Sequence, residues 1–187
     1  MKPKTRKIPT PQSLANTALQ YLGRYAASEA SLRRVLKNRI RRAAMQHPDF
    51  ADDGERKIAL DAVINQLVEK YKKLGVLNDA AFAEIKVNSL RREGRSRRAI
   101  IQKLGMKGVR GSLVDKALEK NADDLSSEEA EMKAVLTFIR RRKMGPYRKK
   151  PGNADTHRKE LALLARGGFS LDIARRALKT EPPPSDP

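Results

Sequence analysis

The strongest constraint in this sequence is that part of it can be laid on itself. Shifted by sixty positions, Ile101 falls on Leu161, Leu104 on Leu164, Val109 on Phe169 and Leu113 on Ile173. Val114 then falls on Ala174, Ala117 on Ala177 and Leu118 on Leu178, with Gly108 on Gly168 and no gap. The coincidences are apolar and spaced as on one helix face, so the chain reads as tandem helical units of the same plan. An earlier block fits more loosely, with Val35 and Leu36 placed opposite Ile100 and Ile101. A unit this short buries little apolar surface alone and must lean on its neighbour.

Local signals set the units out. Thr10-Pro11 reads as an N-cap with proline at the first helical position. Leu14, Ala18, Tyr21, Leu22 and Tyr25 follow at helical spacing. Ser28 opens a second helix with Leu32, Val35, Leu36 and Ile40 on its inner side. After a break at His47 to Gly54, Leu60, Val63, Ile64, Leu67, Val68, Tyr71 and Leu74 form an amphipathic stripe closed by Gly75. Asn78 caps the next helix, with Phe82, Ile85 and Ser89 on one side and Ala83, Val87 and Leu90 beside them. Ser112-x-x-Asp115 and Ser126-x-x-Glu129 each read as a capping box.

The expected fold is all-α: three tandem three-helix modules forming an elongated, curved helical-repeat body. The expected boundaries are a basic arm over 1–10, modules over 11–77, 78–122 and 123–180, and a proline-rich tail over 181–187. A loop is expected within the first module, at about 45–57, and another at 144–155. Tyr21, Tyr25, Phe82 and Phe138 sit at core spacing, whereas Tyr147, in a Gly/Pro/Lys loop, is as suited to a partner as to the core.

Composition narrows the function. The chain of 187 residues has 41 Lys+Arg against 22 Asp+Glu, a formal charge of +19, and no cysteine. Thiolate metal sites, disulfides and a cysteine nucleophile are excluded. His47 and His157 have no neighbouring ligand cluster in the sequence, and no phosphate-binding loop of the Walker type occurs. No enzyme activity, metal or cofactor is expected. Neither a signal peptide nor a membrane span is legible, so a cytoplasmic protein is expected. The charge disfavours self-association, which predicts a monomer, and favours a polyanionic partner.

The cations are unevenly placed: residues 1–50 hold 11 basic against 2 acidic, while residues 51–78 balance at 5 and 5. The candidate partner- or DNA-binding residues are Arg33, Arg34 and Lys37 in the first module. In the second they are Arg91, Arg92, Arg95, Arg97, Arg98 and Lys103; in the third, Arg140, Arg141, Arg142 and Arg158. Arg33, Arg98 and Arg158 occupy matching places in the overlay, which predicts a basic stripe. Solvated helix surface is the plainer reading of any one of these residues; the imbalance favours a binding face.

The run Leu77-Asn78-Asp79-Ala80-Ala81-Phe82-Ala83 follows a long amphipathic helix and precedes Arg91-Arg92-x-Gly94. Arg97-Arg98-x-Ile100 and Leu104-x-x-Lys107-Gly108-Val109 continue it, and Ala18-Leu19-x-Tyr21-Leu22 with Ser28-x-x-x-Leu32-Arg33 opens it. In order and spacing this resembles the RecX family of RecA recombinase modulators, over about residues 13 to 180. The resemblance implies a helical modular protein that binds the RecA filament on DNA and dampens ATP hydrolysis, strand exchange and co-protease activity. Arg39 to Asp53 departs from the family pattern, where a short basic-glycine turn is usual. A general nucleic-acid-binding architectural protein is the alternative that charge alone supports.

Overall fold

The computed structural model describes residues 7–180; residues 1–6 of the expected arm over 1–10, and the tail over 181–187, lie outside them. Among the described residues there are ten α-helices and no strand. They are α1 (Pro11–Leu22), α2 (Glu29–Ala44), α3 (Pro48–Asp52), α4 (Gly54–Lys73) and α5 (Asp79–Arg92). α6 (Arg97–Gly105), α7 (Ser112–Ala122), α8 (Ser127–Arg142), α9 (Ala154–Arg166) and α10 (Leu171–Lys179) complete the series. The chain divides into two compact units, one running through Phe82 and including 107–109, the other made of 83–106 and 110 onward.

In the first unit α1, α2 and α4 pack around Leu14, Ala18, Leu32, Leu36, Ile64 and Val68, all buried. Thr10 caps α1 in a reciprocal box with Ser13, and Pro11 holds the first turn. The expected loop at 45–57 is instead helical through α3, because Pro48 presets the first turn and Phe50 is buried in the core. Leu74 lies past the end of its stripe and is exposed, as is Tyr25 (59 %), whose ring stacks obliquely on Tyr21 with centroids 5.5 Å apart. Tyr25 was expected in the core. It stands two residues beyond Gly23, where α1 has already ended, so helical spacing no longer applies.

The second unit has its core in α8, α9 and α10, where Phe138 meets Phe169 edge to face at 5.8 Å. Tyr147, in a 3-10 turn over Gly145–Tyr147, is partly buried against this core. Leu104, Val114, Ala117 and Leu118 are buried, as are their sixty-residue counterparts Leu164, Ala174, Ala177 and Leu178. Two of the seven coincidences are looser: Ile101 is exposed and Leu113 half-buried. In α5 the buried side holds Phe82, Ala83, Val87 and Leu90, so Ile85 faces solvent rather than the core. Ser126 and Glu129 form the expected box on α8. Ser112 and Asp115 do not: Gly111 is the N-cap of α7, and Asp115 turns to Arg97.

Two further corrections come from burial. The buried residues Leu32 and Leu36 of α2 correspond to Ile100 and Leu104 of α6, an offset of 36 → 104 rather than 36 → 101. Arg33 therefore matches Ile101, not Arg98, and the expected equivalence of Arg33 with Arg98 and Arg158 fails for its first member. In α9 the place of Ile100 is taken by Glu160, which is buried. Its carboxylate accepts from Gly145 N–H at 3.2 Å and lies 2.5 Å from Arg148. The Arg148 contact is one of charge, since that oxygen makes no well-directed hydrogen bond.

A recurring junction orders the repeats. The Ser28 hydroxyl caps α2 by accepting from Ser31 N–H and donates to the Lys107 carbonyl at 2.5 Å. Ser96 caps α6 in the same way and donates to the Gly167 carbonyl at 2.6 Å. The next residue is glycine in both cases, with φ of +79° at Gly108 and +87° at Gly168. A Cβ there would stand 2.2 Å from the Ala30 Cβ or 2.6 Å from the Ser96 hydroxyl. Only glycine gives both the left-handed backbone and the close approach. This is why Gly108 and Gly168 coincide in the sequence overlay. A carboxylate completes each junction: Asp79 accepts from Glu29 N–H at 2.9 Å, and Glu131 from Arg97 N–H at 3.1 Å.

Candidate functional site

The basic residues divide by whether a carboxylate already holds them. On α2, Lys37 lies 3.5 Å from Asp61, Arg33 is half-buried and donates to Asn65, and Arg34 is exposed. These three belong to the first unit.

In the second unit Arg91 is 12 % exposed and reaches both Glu131 at 3.0 Å and the Arg95 carbonyl at 3.1 Å. Its partner Glu131 is 13 % exposed, so this is a nearly dry ion pair fixing the turn between α5 and α6 to α8. Arg97 pairs with Asp115 at 2.6 Å and Arg95 with Glu93 at 3.3 Å. Arg141 donates to the Arg92 carbonyl at 3.3 Å, and Arg142 lies over the Phe138 ring at 4.7 Å. Arg158, 83 % exposed, pairs with Asp155 on its own helix. Arg92, Arg98, Lys103 and Arg140 make no ion pair among the described residues. Arg91 and Arg97 are thus fastened into the fold, while Arg92, Arg98 and Arg140 leave their charge to solvent.

Two of those free cations meet in one place. A groove of about 500 Å³ runs between α5, α7 and α8, with Arg92, Lys133 and Arg140 on its walls and no carboxylate among the described residues lining it. Asn88 and Asn121 face each other across it, joined by an amide hydrogen bond of 2.7 Å. Leu125, Ala130 and Ala134 give it an apolar floor. Lys133, Asn88 and Asn121 were not among the residues singled out from sequence. Lys133, Thr137 and Arg140 repeat at i, i+4 and i+7, a signal that was legible; the pairing of Asn88 with Asn121 left none.

Two carboxylates at the junctions are perturbed or perturbing. Burial pushes the Asp79 carboxyl above the usual range, against the lowering effect of the Glu29 N–H it accepts from. Lys72, 3.1 Å from Glu29, is held above its ordinary value by that hydrogen bond and charge. Among the described residues no helix is long and apolar enough to cross a membrane.

Repeated three-helix units, joined through serine-capped helices and carrying excess surface cations, define a helical-repeat protein with a strongly basic surface. Residues 78–118 match the family model described as RecX, second three-helix domain. The chain is 41 % identical over 181 residues to the Regulatory protein RecX of Myxococcus xanthus (strain DK1622), covering 96 % of this chain and 91 % of that one. It is 31 % identical over 137 residues to the Regulatory protein RecX of Agrobacterium fabrum, covering 63 % and 70 %. A crystal structure of RecX from Lactobacillus salivarius shares the fold with a TM-score of 0.58 at 18 % identity, over 90 % of this chain and 94 % of that one. The chain belongs to the RecX family of regulatory proteins.

Proposed function

We propose that this protein binds the RecA–DNA nucleoprotein filament and lowers the recombinase's activities, ATP hydrolysis first among them, without catalysing a reaction itself. The reading rests on one observation above the others, the match to a regulatory RecX protein along 96 % of the chain. The surface supports it: Arg92, Arg98 and Arg140 offer charge that no carboxylate among the described residues pairs with. Arginine forks suit phosphates and carboxylates alike, so DNA and acidic recombinase surfaces are both within their reach.

The test is a titration of DNA-dependent ATP hydrolysis by the recombinase of the same cell. Suppression is expected at amounts up to equimolar, weakened when Arg98→Glu and Lys103→Glu are combined. Unchanged hydrolysis across that range overturns the reading. The net charge of +19 favours general DNA binding as a second reading. Fluorescence anisotropy separates the two: tight binding to bare duplex with no effect on the recombinase supports the second.

A further inference from the structure

We infer that the groove between α5, α7 and α8 is a binding site for a nucleotide ligand carrying more than one phosphate. Its walls present Arg92, Lys133 and Arg140, and among the described residues no acidic side chain lines it to compete with an anion. Lys133 and Arg140 lie on one face of α8, seven residues apart, which is about 10.5 Å along the helix. One phosphate group cannot span that distance; a di- or triphosphate, or successive phosphates of a single strand, can. Thr137 stands between them on the same face, its hydroxyl donated to the Lys133 carbonyl at 2.9 Å and its oxygen still able to accept.

The rest of the groove suits the remainder of a nucleotide. The Asn121 amide donates to the Asn88 carbonyl oxygen, which leaves the Asn88 NH₂ and the Asn121 oxygen for other partners. One free donor and one free acceptor are what the hydrogen-bonding edge of a base can use. Leu125, Ala130 and Ala134 offer small apolar surface for its flat face. Arg91, held by Glu131, is a fixed wall rather than a mobile ligand-seeking side chain. A volume of about 500 Å³ falls within the ordinary range for ligand clefts. With no aromatic side chain in the lining, phosphate contacts supply most of the affinity. An acidic peptide is the competing ligand, and the comparison with it below decides between the two.

The inference does not depend on the filament reading and is measured on the full chain alone. The probes are ATP and a fluorescein-labelled oligothymidylate, each titrated at about 50 and about 200 mM salt, with a polyglutamate peptide as comparison. Lys133→Glu with Arg140→Glu is expected to weaken nucleotide binding at least roughly 10-fold. For the strand, the slope of log affinity against log salt should fall by about 1.4, at ~0.7 per lost phosphate contact. Lys133→Ala with Arg140→Ala should act in the same direction with less effect, and circular dichroism shows whether each variant is folded. ATP displacing the strand identifies free nucleotide as the source, and strand binding that ATP does not disturb identifies single-stranded nucleic acid; both support the site. No binding of either probe at low salt, folded variants that bind like the native chain, or tighter binding of polyglutamate at this groove overturns it.

Discussion

The hydroxyl of Ser96 does two things at once, and removing it separates a helix cap from a junction. In Ser96→Ala the α6 terminus loses its side-chain acceptor for Ala99 N–H, at a cost of about 1 kcal/mol. The Gly167 carbonyl also loses its donor where Ser96 itself is fully buried, which adds about 1–2 kcal/mol for an unsatisfied acceptor. The sum, about 2–3 kcal/mol, corresponds to a melting temperature lower by about 4–12 °C for a chain of this size. Ser170→Ala is the control: Ser170 caps α10 through Ile173 N–H but is exposed, so its loss should lower the midpoint by only about 2–4 °C. Thermal melts followed by circular dichroism at the helix band measure both. Equal shifts for Ser96→Ala and Ser170→Ala would falsify the junction, leaving Ser96 an ordinary cap.

Two other predictions concern buried charge. Because burial raises the Asp79 carboxyl, its protonated form favours the fold; that contribution is present at acid pH and is lost as pH rises through the raised value. Asp79→Asn keeps an acceptor for Glu29 N–H, so its melting temperature relative to the native chain should rise between about pH 3 and pH 7; a fall over that interval contradicts the sign. Arg148→Met alone strands the Glu160 carboxylate and should cost about 3 kcal/mol in urea denaturation. Glu160→Leu added to it restores the apolar residue type of Leu32 and Ile100 and should return the chain to native stability or above. A double variant no more stable than Arg148→Met shows that the pair holds the loop by more than charge.

The sequence was legible where local chemistry decides the structure. Thr10, Ser28 and Ser126 cap helices because a short oxygen before an apolar run has few better uses, and the sixty-residue overlay found Gly108 and Gly168 because both meet the same backbone demand. It misled where the decision is tertiary. Ser112 and Asp115 have the spacing of a box, but Arg97 competes for Asp115 and wins it. Overlaying Leu36 on Ile101 satisfied helical periodicity as well as overlaying it on Leu104 does, since a shift of three stays near the same face. The burial of Leu32 and Ile100 decides between them. Of the binding surface, α8 showed the Lys133–Thr137–Arg140 spacing, whereas the facing asparagines come from α5 and α7 and meet only in three dimensions.

Counting arginines overstates what this protein offers to a partner. The cluster Arg91, Arg92, Arg97, Arg98 is dense in sequence, yet alternate members are assigned to opposite tasks. Arg91 and Arg97 face Glu131 and Asp115 and hold α5, α6, α7 and α8 together, while Arg92 and Arg98 make no ion pair among the described residues. Reversing the charge of all four would set Glu131 against a new carboxylate in a nearly dry site and disturb the fold. Loss of function in such a variant would say nothing about contact. Reversal at Arg98 and Lys103, or at Lys133 and Arg140, changes the surface field without removing an ion pair of the fold. Such positions can report what the basic surface binds.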